Sequence, residues 1–225
     1  MVASELFGDE ERAAIAKAVA EAEKRTSGEI VPVVATASEN YERTEGLAGI
    51  AVALGALAAT WLLWQQVVPA TGDYEAGHEP RLGVLFFLGV VAGGYVAGAL
   101  GARAVPFLKR LLAGPGRMRT EVTRAAAAAF DRFHVRGTKG ATGIVIYVSL
   151  FERMVCVLGD APISEKVAEA EWQGVADLVV RGIREGRHAE GLAAAIAKCG
   201  EMLAAHFPIQ AGDVNELSNE LRLVD

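Results

Sequence analysis

Two long apolar stretches interrupt an otherwise mixed pattern of hydrophobic and polar positions. The first, residues 46–72, contains no charged residue, and the second, residues 82–102, lies between two arginines. Each is long enough to cross a hydrocarbon core of roughly 30 Å as a helix that rises about 1.5 Å per residue. The joint between them, residues 65–81, is short and polar and contains Pro and Gly. The pattern therefore predicts a two-helix transmembrane hairpin over residues 46–102, with both chain ends on one side.

The rest of the chain alternates helical and strand-like patterns. Apolar residues at helical spacing predict helices over residues 9–25, 117–135, 163–185 and 189–207. Runs rich in β-branched residues predict strands over residues 29–36, 144–150 and 154–158, of which the last two form a tight hairpin. Pro32 lacks an N–H, which predicts an edge position or a bulge for its strand. This order predicts a small α/β/α sandwich that the transmembrane hairpin interrupts.

The pattern divides the chain into five parts. Residues 1–45 and 117–208 form the soluble domain, and residues 46–102 form the hairpin. Residues 103–116 form a basic juxtamembrane segment that can lie in the membrane interface, near anionic headgroups. Residues 209–225 form an acidic tail, whose last residues we expect to be loosely held.

Composition narrows the classes of function. The net charge of −6 argues against a general nucleic-acid-binding protein, which would carry a basic face. Cys156 and Cys199 match no CxxC or zinc spacing, and we expect them to be buried thiols. Neither apolar stretch carries an Asp, Glu, Lys, Arg or His, so a proton or ion pathway has no side chain to carry it.

The distribution of Lys and Arg predicts the orientation in the membrane. The loop between the spans has Arg81 as its one cation, whereas five basic residues follow the second span without an intervening acid. They are Arg103, Lys109, Arg110, Arg117 and Arg119. The positive-inside rule then places both termini and the soluble domain in the cytoplasm. The N-terminus lacks the pattern of a signal peptide, so we expect the first span to direct insertion into the inner (cytoplasmic) membrane.

Several segments resemble the TPM domain family. They are residues 26–31 (TSGEIV), 142–149 (TGIVIYVS), 152–157 (ERMVCV), 172–185 (WQGVADLVVRGIRE) and 186–192 (GRHAEGL). The resemblance implies a TPM-like α/β/α sandwich. Members of the family include reported acid phosphatases, calcium binders, and assembly or repair factors, so the resemblance implies one of these activities without choosing between them.

Few side chains suggest a chemistry. Asp160 follows a predicted strand, where ligand sites of open α/β sheets gather, and it is the first candidate ligand for calcium or magnesium, with Glu29 as a second. The alternative interpretation is that Asp160 starts a turn or caps the next helix. The glycine-rich residues 137–143 have neither the spacing nor the strand-to-helix order of a phosphate loop, and we expect a connector there. His134, His188 and His206 match no catalytic motif.

Small residues recur on the second span. Gly89, Gly93, Gly94 and Gly98 form small-xxx-small patterns, which let helix backbones approach closely. They can pack the hairpin on itself or pair two protomers.

The leading hypothesis is a membrane-anchored, non-catalytic interaction module that assists assembly or maintenance of membrane proteins. Its expected partners are the lipid bilayer and a membrane protein, and no nucleic acid. The alternative hypothesis is a calcium- or magnesium-dependent, acid-phosphatase-like hydrolase whose metal site includes Asp160.

Overall fold

The chain folds into two compact units. The structure, a computed structural model, describes residues 2–64 and 83–225. The first unit, called the α/β unit, consists of Met1–Glu39 and Gly116–Asp225. The second, called the helical unit, is Asn40–Pro115. The predicted loop over residues 65–81 lies outside the described residues.

The elements of the α/β unit follow the predicted order with three differences: a short helix near the N-terminus that was not predicted, one predicted helix that is divided, and an additional strand. Its helices are α1 (Ala3–Leu6), α2 (Asp9–Glu23), α6 (Pro115–Arg132), α7 (Ala161–Ser164), α8 (Glu169–Arg184) and α9 (His188–His206). Its strands are β1 (Glu29–Ala35), β2 (Gly143–Ser149), β3 (Met154–Gly159) and β4 (Arg222–Val224). The predicted helix over residues 163–185 is instead two helices, because the chain leaves helical geometry between α7 and α8. The last strand, β4, lies in the tail that was expected to be loose, so that expectation was wrong.

The described strands form one mixed sheet in the order β3-β2-β1-β4. Strand β1 is parallel to both β2 and β4, while β2 and β3 form the predicted antiparallel hairpin. Strand β1 as a whole is not an edge strand, since it has a neighbour on each side. Strand β4 pairs only with Val33–Ala35, however, so Pro32 lies just before the stretch where β1 gains its second partner.

Helices cover both faces of the sheet. One face carries Ile30 and Ile144 and packs against α2, α8 and α9. The other carries Val31 and Val145 and packs against α6 and the 3-10 turn Val135–Gly137. Every residue of β1 and β2 is buried as a result. The continuous apolar runs of these strands thus reflect burial on two faces.

The helical unit contains α3 (Glu42–Trp64), α4 (Val84–Ala104) and α5 (Pro106–Ala113). Helices α3 and α4 are each long and apolar enough to cross a membrane, with a mean hydropathy of 2.0. Two close approaches show that they run antiparallel. A Cβ on Gly94 would lie 2.9 Å from Ala53 Cα, and one on Gly98 would lie 2.7 Å from the Ala48 carbonyl oxygen, so the contacts move back along α3 as they move forward along α4. The described residues thus contain two apolar helices paired as in a hairpin.

Most large side chains of these two helices point away from protein. Leu62 on α3 and Leu85 on α4 are 81% and 83% exposed, and only 6% of the most apolar window of α4 is buried. A core helix of a water-soluble protein would have most of this surface covered. Exposed apolar surface of this extent is typical of contact with a membrane or a partner.

Candidate functional site

The two predicted metal ligands lie at one edge of the sheet. Glu29 begins β1 and pairs with Gly143, the first residue of β2. The backbone N–H of Asp160, directly after β3, donates to the Gly143 carbonyl oxygen at 3.0 Å. Glu29 and Asp160 therefore flank Gly143 in register, with Cα atoms about 10 Å apart across two strand spacings.

Val135 separates these two carboxylates. A Cβ on Gly143 would lie 2.3 Å from Val135 Cγ1 and 2.7 Å from its carbonyl oxygen, so Val135 fills the space above Gly143. The structure places both acids at the same edge but does not bring them together. Among residues 2–64 and 83–225, no three His, Cys, Asp or Glu side chains are grouped closely enough to hold a metal ion.

Glu29 holds the C-terminal segment against the sheet. Its Oε1 accepts a hydrogen bond from the Glu216 N–H at 3.0 Å. Burial raises the pKa of Glu29, and the negative charges of Glu216 and Asp213 add to that shift. Its other oxygen, Oε2, is buried and has no hydrogen-bond partner among the described residues.

A second, half-buried acid lies beside it. Glu23, the last residue of α2, accepts hydrogen bonds from the Ile30 N–H at 2.9 Å and from Asn219 Nδ2 at 2.8 Å. Burial raises the pKa of Glu23 to about 8. Two carboxyl groups of raised pKa thus fix the segment that leads into β4.

Asp160 starts helix α7, as its structural interpretation predicts, but through its backbone. Its carbonyl oxygen accepts hydrogen bonds from the N–H groups of Ile163 at 3.0 Å and Ser164 at 2.9 Å, whereas its side chain makes no capping bond. Burial raises the pKa of Asp160, and the Gly143 N–H and the charge of Arg136 oppose that shift. Oδ2 is buried without a hydrogen-bond partner among the described residues.

A shallow cavity of about 400 Å³ lies at the same edge of the sheet. Its lining includes Lys139 and Gly140 from the glycine-rich connector, His206 from the end of α9, and Glu216. The Lys139 N–H donates to Glu216 Oε2 at 2.8 Å, so this acid joins the connector to the C-terminal segment. The connector runs from a helical segment into β2, the order that argued against a phosphate loop.

A buried polar cluster that the sequence did not indicate lies at the opposite edge, beyond the carboxyl ends of β1 and β2. Glu152 accepts hydrogen bonds from the Ser38 N–H at 3.0 Å and from the Ser149 hydroxyl. The Ser38 hydroxyl donates to Ser149 Oγ at 3.0 Å and lies 3.3 Å from the Tyr147 hydroxyl. Glu152 is 4% exposed and Ser149 is 1% exposed. Both carboxylate oxygens of Glu152 are therefore used to position the chain near Ser38.

The groups beside this cluster are not activated nucleophiles. Burial raises the pKa of the Tyr147 hydroxyl and of the Cys156 thiol, so both stay protonated near neutral pH. Cys199 is fully buried, and its pKa is raised to about 12. The expectation that the two cysteines are buried thiols holds fully for Cys199 and in part for Cys156, which is half-buried.

The cluster stands where the chain leaves the α/β unit. Residue Glu39, next to Ser38, accepts hydrogen bonds from Arg117 Nη2 at 3.0 and 3.1 Å, and Arg117 lies where the chain returns. The two crossings of the chain are thus held side by side within the α/β unit. The carboxyl edge of the parallel strands, where open α/β sheets commonly bind ligands, here carries the connection to the inserted helices.

Two weak signals could have pointed to this cluster in the sequence. Ser149 is a polar residue at the end of an apolar strand, and Glu152 lies in the tight turn that follows. Neither feature shows by itself that Ser38, more than a hundred residues earlier, will join them.

Comparison with known proteins establishes a likeness of fold. No protein-family model matches the chain, and no curated protein matches it. The chain is similar to the NMR structure of the BA42 protein from the psychrophilic bacterium Bizionia argentinensis, with a TM-score of 0.57 and 20% sequence identity. The match covers 97% of this chain and 96% of that one. At this identity the likeness concerns the fold alone.

Proposed function

We propose that the chain is a membrane-anchored interaction module. A TPM-like α/β/α sandwich is carried by a two-helix hairpin in the inner membrane and assists assembly or maintenance of membrane proteins without catalysis. The observation that carries the proposal is the insertion of two helices with outward apolar side chains into an α/β unit whose own core is closed. A helix pair of this kind is stable in lipid and poorly soluble in water.

The architecture of the chain crossings supports this proposal. The Ser38, Ser149 and Glu152 cluster and the Glu39–Arg117 pair fix the residues that enter and leave the helical unit. An anchored domain has to retain its fold where a membrane segment interrupts it, and buried hydrogen-bonded networks are suited to that task. The proposed orientation, with the α/β unit in the cytoplasm, depends on the positive-inside rule.

Photo-cross-linking in native membranes tests the proposal. A photoreactive side chain is placed in the full chain at Gln173 on α8 or at Arg119 on α6, two exposed positions on helices that cover opposite faces of the sheet. We expect discrete cross-links to a membrane protein from one face and not from the other. In the matched control, residues 40–115 are replaced by a short Gly-Ser linker. A short linker can close this gap because Glu39 and Arg117, on either side of the deleted segment, are in contact. The control should be soluble and should lose those cross-links.

Enzymatic turnover would contradict the proposal. If the purified full chain hydrolyses a phosphate ester, and a single polar substitution abolishes turnover without loss of the fold, the module is an enzyme.

One observation favours the alternative of a calcium- or magnesium-dependent phosphatase. Glu29 and Asp160 each keep one buried oxygen without a hydrogen-bond partner among the described residues, and such oxygens are ligands for hard cations. A thermal melt of the detergent-solubilised chain with millimolar calcium or magnesium tests it, since a ligand that binds only the folded state raises Tm. A chelator-reversible rise that Asp160→Ala abolishes would favour the metal site. No change in Tm would remove the support for this alternative.

A further inference from the structure

Helix α5 is short and strongly amphipathic. At 100° per residue, Phe107, Leu108, Leu111 and Leu112 cover an arc of about 140°, while Lys109 and Arg110 lie on the opposite side. The helix begins at Pro106, directly after α4 ends at Ala104, so the backbone changes direction where the apolar span stops.

Most of the apolar arc of α5 is not covered by protein among the described residues; Leu108 alone of its four side chains is half-buried. Phe107 and Leu111 are 67% and 65% exposed, and Leu112 is 45% exposed. No residue of α5 is buried. A water-soluble protein would turn this arc inward, because burial of such side chains is favourable in water.

The polar side of α5 contacts the base of the hairpin. Because α3 and α4 are antiparallel, the start of α3 and the end of α4 lie at the same end of the pair. Lys109 Nζ lies 2.7 Å from Glu45 Oε1 in the first turn of α3, and both side chains are about one-fifth exposed, at 18% and 21%. This pair neutralises both charges and directs the apolar arc away from α3.

The charge around α5 is positive. Residues 82–120 contain five Arg and Lys side chains and no Asp or Glu. Arg103, in the last turn of α4, is exposed at the same end of the hairpin. Lys109 and Arg117 are paired with Glu45 and Glu39, so the exposed Arg103 is the cation that this surface offers to a ligand. An apolar arc next to an exposed cation matches the two layers of an anionic bilayer surface, acyl chains beneath and phosphate groups above.

We infer that α5 is an interfacial helix that binds anionic phospholipid around the base of the hairpin. Its Phe107–Leu111 side enters the acyl boundary, Arg103 contacts lipid phosphate, and the Lys109–Glu45 pair holds the helix parallel to the surface. The inference rests on the proposed membrane hairpin and adds to it a preference for a lipid charge.

Spin labels in the reconstituted full chain test the depth of α5. Single cysteines are introduced in a Cys156→Ser background as Leu111→Cys on α5, Val96→Cys on α4 and Ala197→Cys on α9; Cys199 is fully buried and stays unlabelled. Collision with oxygen reports lipid, and collision with a water-soluble nickel chelate reports water. We expect Val96 and Leu111 labels to be shielded from nickel and open to oxygen, and the Ala197 label to be open to nickel. A Phe107→Cys label should repeat the result for Leu111.

A fluorophore at residue 111 tests the lipid charge. In mixed vesicles, brominated phosphatidylglycerol should quench it more strongly than brominated phosphatidylcholine. Arg103→Gln should lower that preference by up to about fivefold, and Arg103→Lys should retain it. Retention in the Lys variant separates loss of charge from damage to the helix.

The outcomes distinguish this inference from the proposed function. A Val96 label open to nickel would contradict the hairpin itself. A lipid-exposed Val96 label with a Leu111 label open to nickel would overturn the inference alone. A Leu111 label shielded from both collision partners would show that protein covers α5. Equal quenching by the two lipids would show no preference for anionic lipid. Either result overturns the inference.

Discussion

In both units, glycines let two helices cross in close backbone contact. The units differ in the exposure of the side chains near the crossing. Helices α8 and α9 cross where a Cβ on Gly182 would lie 2.5 Å from Gly191 Cα, and α3 and α4 cross where a Cβ on Gly98 would lie 2.7 Å from a carbonyl oxygen. Near the first crossing Val179 is 1% exposed, whereas Leu100, near the second, is 59% exposed. Close backbone contact between helices is therefore found with buried neighbours in one unit and with exposed apolar neighbours in the other, and the proposed membrane would cover the latter.

The largest expected effect is at the crossing inside the α/β unit. Gly182→Leu forces a side chain into the Gly191 backbone, which cannot move without separating α8 from α9. We expect the free energy of unfolding to fall by about 3 kcal/mol or more. The matched control, Gly174→Ala on the same helix, meets no atom within 4 Å in the part of the chain that the structure describes and should raise stability by about 0.5–1 kcal/mol. Denaturant melts measure both, and equal effects would refute the close-packing argument.

A charge on the outward face of α4 tests the comparison most directly. Val96, which is 54% exposed, lies near the middle of α4, and Val96→Arg should cost about 3 kcal/mol if its surroundings are lipid. Ala197→Arg, at an exposed position of α9, should change stability by no more than about 0.5 kcal/mol. Resistance to carbonate extraction reports the first variant and a thermal melt the second. If carbonate already extracts the wild-type chain and Val96→Arg extracts no more readily, the two units do not face different solvents.

The polar cluster at the carboxyl edge is expected to contribute next. Glu152→Gln replaces one hydrogen-bond acceptor by a donor beside Ser38 or Ser149, which should cost about 2 kcal/mol because the site is buried. Glu201→Gln, on the exposed side of α9, should be nearly neutral. Hydrogen exchange near residue 38 should rise in the first variant alone. Unchanged exchange there would mean that the cluster does not fix the chain crossing.

Substitutions at different glycines of α4 should have different effects on the pairing of α4 with α3. Gly98→Leu meets Ala48 and Gly49 on α3 and should weaken the helix pair by about 1–3 kcal/mol, whereas Gly101→Leu meets no atom within 4 Å among the described residues. Disulfide formation between cysteines placed on α3 and α4 measures the pairing. A Cβ on Gly89 or Gly93 also meets no described atom within 4 Å, so the proposed pairing of two protomers would have to use these two and not Gly94 and Gly98. Cross-linking of a Gly93→Leu variant tests that point.

The smallest effect expected is a dependence of the α/β unit on pH. The pKa of Glu23 is 4.5 in an ordinary environment and about 8 in the fold. Since the folded chain keeps this proton while the unfolded chain loses it, the free energy of unfolding should fall as pH rises from about 4.5 to about 8. Solvent screening of this half-buried group limits the loss to about 1–2 kcal/mol.

Glu23→Gln should reduce the dependence of the free energy of unfolding on pH between about 4.5 and 8, and Glu21→Gln should not. The pKa of Glu21 is lowered by its hydrogen bond to Lys24, which confines its own effect to lower pH. Urea melts between pH 5 and 8 would measure both variants, and a slope that Glu23→Gln leaves intact would assign the titration elsewhere.

The elements that the sequence predicted are those with a local signal. Helices α2 and α9 follow from side-chain period, the β2–β3 hairpin from runs of β-branched residues, and the two apolar helices from the length of their uncharged stretches. Strand β4 has three residues and a polar setting, and it forms only because β1, at the other end of the chain, offers Val33–Ala35 for pairing. The break between α7 and α8 interrupts an apolar pattern that continues through it. Period counting therefore predicted one helix there.

The arrangement of the candidate site depends even more on contacts between residues that are distant in sequence, which local patterns do not predict. The positions of Glu29 and Asp160 beside predicted strands indicate a shared edge of the sheet, and the register does place them on either side of Gly143. Val135 comes between them from a turn that the sequence does not relate to either acid. Ser38, Ser149 and Glu152 meet because parallel pairing of β1 with β2 aligns their carboxyl ends.

The sequence by itself determined the two apolar spans, the alternation of helices and strands, and the positive charge that follows the second span. These are properties of consecutive residues, and the period and polarity of a segment decide them. Only the tertiary structure decided which glycines of α4 contact α3, which carboxylates hold the C-terminal strand, and where the buried polar cluster forms. Those contacts depend on strand register and helix crossing, which bring together residues that are distant along the chain.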